Sequence, residues 1–311
     1  MYARLLQHPW IVRTIPVCIL LLLGLLWGGV PSIAKYVIAT GVHPLSYSFW
    51  ILSIAASVLI IITFVSGRRL PPRRHIFFYV VCGVSGSALP TTIMYYAVSW
   101  IPAGLMAILI AVAPIFTYLS GMVVKVEKYH PLKTLGILLA FIGMLLILMP
   151  DSVAQMKAPV WAILLGLLTP AFYAVNIVYA ALRRPPSLHT LDLSVAMIIA
   201  AATTMLFVNI FFAPFFELWN AEPLIALLIL YHGVLTAIAF SLFYYLIKIS
   251  GALFSSQVSY SATIFGILIG AYAHGEVLPL FVWLATAAMF AAIRFIQKAR
   301  QLTEESQAPN Q

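Results

Sequence analysis

Ten apolar stretches follow one another along the chain, at residues 14–38, 45–66, 75–98, 103–124, 131–149, 159–182, 191–214, 223–247, 252–274 and 277–297, each bounded by charges, turn residues or proline. A helix of roughly 20 apolar residues crosses the ~30 Å hydrocarbon core of a bilayer. Only helices and closed barrels satisfy their backbone hydrogen bonds there, and unbroken apolar runs without two-residue alternation exclude the barrel. The expected fold is therefore an all-α membrane protein with ten transmembrane helices. The run from Thr14 to Ile38 is too long for a signal-peptide core and is followed by no convincing cleavage site, so it reads as a retained first span.

Charge then sets the orientation. The net charge of +9 invites a nucleic-acid reading, but with 63% hydrophobic and 8% charged residues and a mean hydropathy of +1.06 the chain lies far from soluble domains. Its basic residues fall in short clusters between the apolar runs, where they read as topology signals, so no nucleic-acid partner is expected. With the N-terminus in the cytoplasm, fifteen of the 17 Lys and Arg residues, from Arg4 and Arg13 to Lys298 and Arg300, fall on the inner side. Only Lys157 falls outside, and Lys35 lies within the first run. A single miscounted span would invert everything after it. The expectation is a multi-pass protein of the cytoplasmic (inner) membrane with both termini inside and a polar, disordered tail at 299–311. Cys18 and Cys82 lie inside apolar runs without CxxC spacing, so neither a disulfide nor a metal site is expected.

The chain also repeats itself. An offset of 149 residues superposes Tyr95 and Tyr96 on Tyr244 and Tyr245, Ala103 on Ala252, Ala113 on Ala262, Ile115 and Phe116 on Ile264 and Phe265, Leu119 on Leu268, Gly121 on Gly270 and Glu127 on Glu276. These are nine matches in 33 positions, where apolar composition alone would give roughly three or four. The expected halves are 1–150 and 151–298. Five spans per half is an odd number, so the second half enters the membrane from the opposite side and the repeat is inverted. Glu127 then ends the fourth helix at the cytoplasmic face, and Glu276 follows the ninth at the outer face. Two similar, inverted halves can exchange which end of a central cavity is open, the geometry of alternating access.

Trp27-Gly28-Gly29-Val30-Pro31-Ser32-Ile33-Ala34-Lys35 resembles the opening Trp-Gly motif with a later Lys in EamA-type members of the drug/metabolite transporter superfamily. Ala103, Pro114 and Glu127, followed by Gly136 and Gly143, are similar to that family's fourth and fifth spans. The second half departs from the pattern, with Thr263 where proline is often found and Ala285 and Ala292 in place of glycines. The resemblance implies a cytoplasmic-membrane transporter, often an exporter of amino acids or related metabolites, with a cavity lined chiefly by helices 1, 3, 4, 6, 8 and 9. It does not imply a substrate.

Polar and aromatic residues at membrane depth mark the candidate substrate-binding set: Trp27, Tyr95, Tyr173, Asn176, Gln257 and Tyr260. Trp27, Pro31 and Lys35 share a helical face, as do Tyr173 and Asn176, and Gln257 and Tyr260. Each has a plain alternative: helix packing for Trp27, interhelical bonding for Asn176, an interfacial aromatic belt for Tyr95 and Tyr244 that could otherwise gate opposite mouths. Lys35 either snorkels to the headgroups or offers a positive group to a carboxylate at the outer mouth. His232 reads as a hydrogen-bonded structural group before a proton carrier. No carboxylate lies in mid-span, which favours transport without obligatory proton exchange. HExxH, paired carboxylates and a Ser/His arrangement at shared depth are all missing, so neither an enzyme nor a cofactor is expected. A lipid-headgroup flippase or a non-transporting scaffold is the alternative, but a scaffold needs no polar central face. The partners expected are a small-molecule substrate and the lipid bilayer; oligomeric state is left open.

Overall fold

The computed structural model describes residues 9–125, 129–147, 157–186 and 188–307. The helices are α1 (Pro9–Gly28), α2 (Val30–Ala39), α3 (Pro44–Val65), α4 (Ile76–Gly83), α5 (Leu89–Val98), α6 (Ala103–Ile110), α7 (Ala113–Val123), α8 (Pro131–Ile147), α9 (Val160–Arg183), α10 (Thr190–Phe212), α11 (Pro223–Ser256), α12 (Val258–His274) and α13 (Leu280–Gln307). Seven stretches among the described residues are long and apolar enough to cross a membrane, and Pro131–Gly143 and Leu280–Ala292 are shorter apolar helices. The protein is an all-helical membrane protein, and the expected runs map onto its helices with local corrections.

Those corrections fall where the backbone chemistry demands them. Proline removes an N–H and crowds the carbonyl four residues earlier. Pro114 follows the turn at Ala111 and Val112 that divides α6 from α7, and Pro90 follows the π-helical turn Val84–Ala88 that joins α4 to α5. Hydropathy ends the eighth run at 247 and begins the ninth at 252. Instead α11 kinks at Gly251, whose φ of 77° is a conformation that suits glycine alone, and the helix restarts at Val258 after Gln257. The tail is also more ordered than expected. α13 continues to Gln307, because from Gln301 onward the chain holds helix formers and meets no proline until Pro309.

Packing relates the two halves. α3 lies against α10 and α8 against α13, each a pair of counterparts; α1 lies against α12 as α9 lies against α6 and α7. Exchanging the halves maps this pattern onto itself. Lipid tails are as apolar as leucine, so helices associate through close van der Waals contact, which small residues permit. Gly24 and Gly28 on α1 and Gly266 and Gly270 on α12 have the four-residue spacing that allows it. A Cβ on Gly28 would lie 2.6 Å from the Phe265 Cβ, and one on Gly266 would lie 2.5 Å from that of Ala107. The first, fourth and ninth stretches thus meet backbone to backbone. Large side chains such as Leu21, Phe64, Phe77 and Phe211 face outward, toward lipid.

Candidate functional site

The central cavity has a volume of about 90 Å³, room for roughly three waters. Its walls come from α1 and α2, the π-turn and α5, α6 and α7, α9, α11 and α12, which are the first, third, fourth, sixth, eighth and ninth stretches. One wall is aromatic. The Trp27 ring stands edge-on to Phe240 at 5.4 Å and to Phe243 at 5.1 Å, and its indole N–H has no hydrogen-bond partner among the described residues.

The facing wall is polar. Asn176 donates from Nδ2 to the Cys82 carbonyl at 3.0 Å and accepts the Tyr244 hydroxyl at Oδ1, also at 3.0 Å. It lies so close to the π-turn that a Cβ on Gly86 would come within 2.5 Å of its Cγ. His232 lines the same cavity, with Tyr47 Oη 2.7 Å from Nδ1 and Tyr95 Oη 3.5 Å from Nε2. Tyr95 and Tyr244, the repeat-related pair, are both fully buried behind the wall. Each packs against a polar residue that borders the cavity, and neither is exposed in an interfacial belt.

Of the residues singled out from sequence, Trp27, Tyr173 and Asn176 line the cavity. Tyr95, Gln257 and Tyr260 do not. The π-turn widens the helix ahead of Tyr95 and shifts the phase of the residues after it, so that the Tyr95 ring packs on Tyr47, 4.7 Å away. Gln257 is buried at the junction of α11 and α12, and the restart turns Tyr260 toward Phe290 of α13, at 6.1 Å. Ser255, Ser256 and Ser259 reach the cavity in their place. The residues missed by sequence reasoning, His232 above all, carried one usable signal: a histidine in mid-span.

A second polar constellation lies beyond the cavity. Lys35 is five residues past Val30 of the cavity wall, about 7.5 Å along the helix. Its ammonium is paired within the protein. Its Nζ donates to Glu276 Oε1 at 3.0 Å and to the Ile101 carbonyl at 3.2 Å. The same carboxylate accepts the Ala103 N–H at 2.7 Å and the Gly104 N–H at 2.8 Å, capping the start of α6. A Cβ on Gly270 would lie 2.9 Å from Glu276 Oε2, so this close seat requires glycine. Burial pushes the Glu276 carboxyl up, but the Gly104 amide, Lys35 and the Ala103 amide outweigh it and hold the group below the usual carboxylate range. Glu127, its counterpart by repeat, lies outside the described residues.

Comparison with known proteins decides the family. The EamA-like transporter family matches residues 14–149 and again residues 160–297. The chain belongs to the EamA-like transporter family. A solved crystal structure superposes on this transporter with a TM-score of 0.66 over 92% of this chain and 98% of its own, at 19% identity, which shows a shared fold. No curated protein matches the chain in sequence.

In this EamA-like transporter no Asp, Glu, Lys or Arg lines the cavity among the described residues. What it offers a ligand is aromatic faces, hydroxyls, an amide and an imidazole. Among the described residues, no group of three His, Cys, Asp or Glu side chains could hold a metal ion.

Proposed function

We propose that the protein exports a small neutral or zwitterionic metabolite, amino acids first, across the cytoplasmic membrane by alternating access. The observation that carries this reading is the uncharged cavity between the two halves, aromatic on one side and hydrogen-bonding on the other. An ammonium group meets aromatic faces there, through cation–π contact. Polar groups placed within an apolar pocket are the ordinary means of fixing a small ligand's orientation.

The distribution of basic residues supports cytoplasmic termini, with Lys35 and Glu276 toward the outer face. In this reading the Lys35–Glu276 clasp is the outer seal, since it ties α2, the start of α6 and the end of α12 together beyond the cavity. Residues 1–150 and 151–298 act as the two moving halves. Coupling to protons is not obligatory in this reading, because no carboxylate lines the cavity among the described residues.

A metabolite-wide comparison of uptake and efflux, in proteoliposomes with and without the protein, tests the substrate class. Selective flux of neutral or zwitterionic metabolites is the expected result; selective flux of polyanions or lipids overturns it. Uphill accumulation driven by an imposed pH gradient at zero voltage would show that transport is proton-coupled.

A further inference from the structure

His232 is 2% exposed, yet it borders the cavity. A histidine with a purely structural role satisfies both ring nitrogens, and this one satisfies a single nitrogen well. A phenol is the stronger donor and an imidazole nitrogen the stronger acceptor, so the hydrogen in the 2.7 Å contact belongs to Tyr47 and Nδ1 accepts it. The ring hydrogen then resides on Nε2. Its partner, the Tyr95 oxygen, is 3.5 Å away, beyond the ~2.7–3.2 Å range of an ordinary N–H···O bond. Nε2–H therefore has donor capacity to spare.

Around it the cavity holds other unspent donors. Thr236, one turn along α11 and on the same face, and Tyr173 of α9 both line the cavity, and neither hydroxyl is bonded to a described residue. The Trp27 indole N–H is also unspent. Asn176 Oδ1 already takes the Tyr244 hydroxyl, while the Thr91 hydroxyl gives its hydrogen to the Ser87 carbonyl and keeps an oxygen that can accept. The unspent N–H and O–H groups can meet acceptor oxygens on a ligand.

We propose that His232 is a specificity-determining residue: its Nε2–H donates to a carboxylate or carbonyl oxygen of the transported molecule, with Tyr47 and Tyr95 holding the ring in place. This rests on the reading of the cavity as the transport site. It selects, among small metabolites, those with a carboxylate or carbonyl oxygen over amines that lack one.

The test is counterflow of radiolabelled L-serine in proteoliposomes, competed by unlabelled L-serine or by ethanolamine, its analogue without the carboxylate. In the wild type L-serine competes better by about tenfold or more, the worth of a hydrogen bond to a charged group. His232→Met, which fills the space without a donor, brings the two competitors level, whereas His232→Gln retains most of the preference. A His232→Met variant that transports more slowly with its preference intact overturns the proposal, since a structural role slows both compounds alike. If His232→Met does not fold, Tyr47→Phe carries the test: it keeps the ring but releases it, and an unchanged preference overturns the proposal. A wild type that exchanges neither compound overturns the amino-acid reading and this inference together. A wild type that exchanges L-serine beside unselective loss in the variants overturns the inference alone.

Discussion

Lys35 and Arg184 are 149 residues apart, at matching positions in the two halves, and are held in unlike ways. Lys35 reaches across 241 residues of sequence to Glu276, whose carboxylate also caps α6. Arg184 bonds locally, across the connection from α9 to α10, to the Leu188 carbonyl at 3.1 Å and the Thr190 hydroxyl at 2.8 Å, and its Nη1 has no partner among the described residues. One end of the cavity is thus tied across three helices drawn from both halves by a carboxylate that accepts from Lys35, Ala103 and Gly104. The described residues at the other end show the local bonds of Arg184 and, between the halves, a longer ion pair, Arg68 to Asp192 at 3.4 Å. In alternating access a seal has to be made of contacts that one state has and the other lacks. Ties between the halves meet that requirement and local ones, which join consecutive helices of one half, do not.

The sharpest way to break this contrast is Glu276→Gln. Glutamine removes the charge that Lys35 pairs with, and its NH2 opposes a backbone N–H where the carboxylate accepted one. The readout is labelling of Val30→Cys, in the cavity wall, by a membrane-impermeant maleimide added outside intact cells, with Cys18 and Cys82 replaced by Ser. Labelling should rise by about 10- to 100-fold, the loss of one charged hydrogen bond. Unchanged labelling would show that the clasp seals nothing. The charge exchange Lys35→Glu with Glu276→Lys should be as leaky as Glu276→Gln, because an ammonium cannot accept the Ala103 and Gly104 N–H groups. Restoration by the exchange would reduce the clasp to a simple ion pair.

Lys35→Met should have a smaller effect, a rise of about threefold, since Glu276 keeps both backbone partners and the pair is partly exposed. Acidification sharpens the same point. Because the folded protein holds the Glu276 carboxyl below its unfolded value, the clasp is present above the unfolded value and lost as pH falls through the folded one. Labelling of Val30→Cys should therefore be flat from about pH 8 to about pH 5 and rise only below about pH 4. A rise near neutrality would mean that another group controls the seal.

How far could this have been read from the sequence? Depth was legible and azimuth was not. Hydropathy and charge locate Trp27, Tyr173, Asn176 and His232 along their helices, because those signals depend on position along the chain. Which way a side chain faces depends on every irregularity before it. The π-turn ahead of Tyr95 and the junction at Gln257 each reset the helical phase, and the serines, not Gln257 and Tyr260, come to border the cavity. The clasp was hidden for a different reason. Lys35 and Glu276 are far apart in sequence, and a capped helix start gives no signature when its cap comes from elsewhere in the chain.

Arg184→Ala should have the smallest effect of the series, and the comparison depends on its being small. Removing this guanidinium deletes bonds to Leu188 and Thr190 that hold the start of α10 against the end of α9, and leaves every contact of the clasp in place. Labelling of Val30→Cys from outside should therefore change by less than about twofold, within the range of a locally compensated surface bond. The cost should appear instead as lower thermal stability of the purified protein, by about 1 kcal/mol for the bonds lost. Should Arg184→Ala open the outer side as far as Glu276→Gln does, the two ends are coupled through the helices between them, and the clasp is one part of a seal that spans the whole bundle.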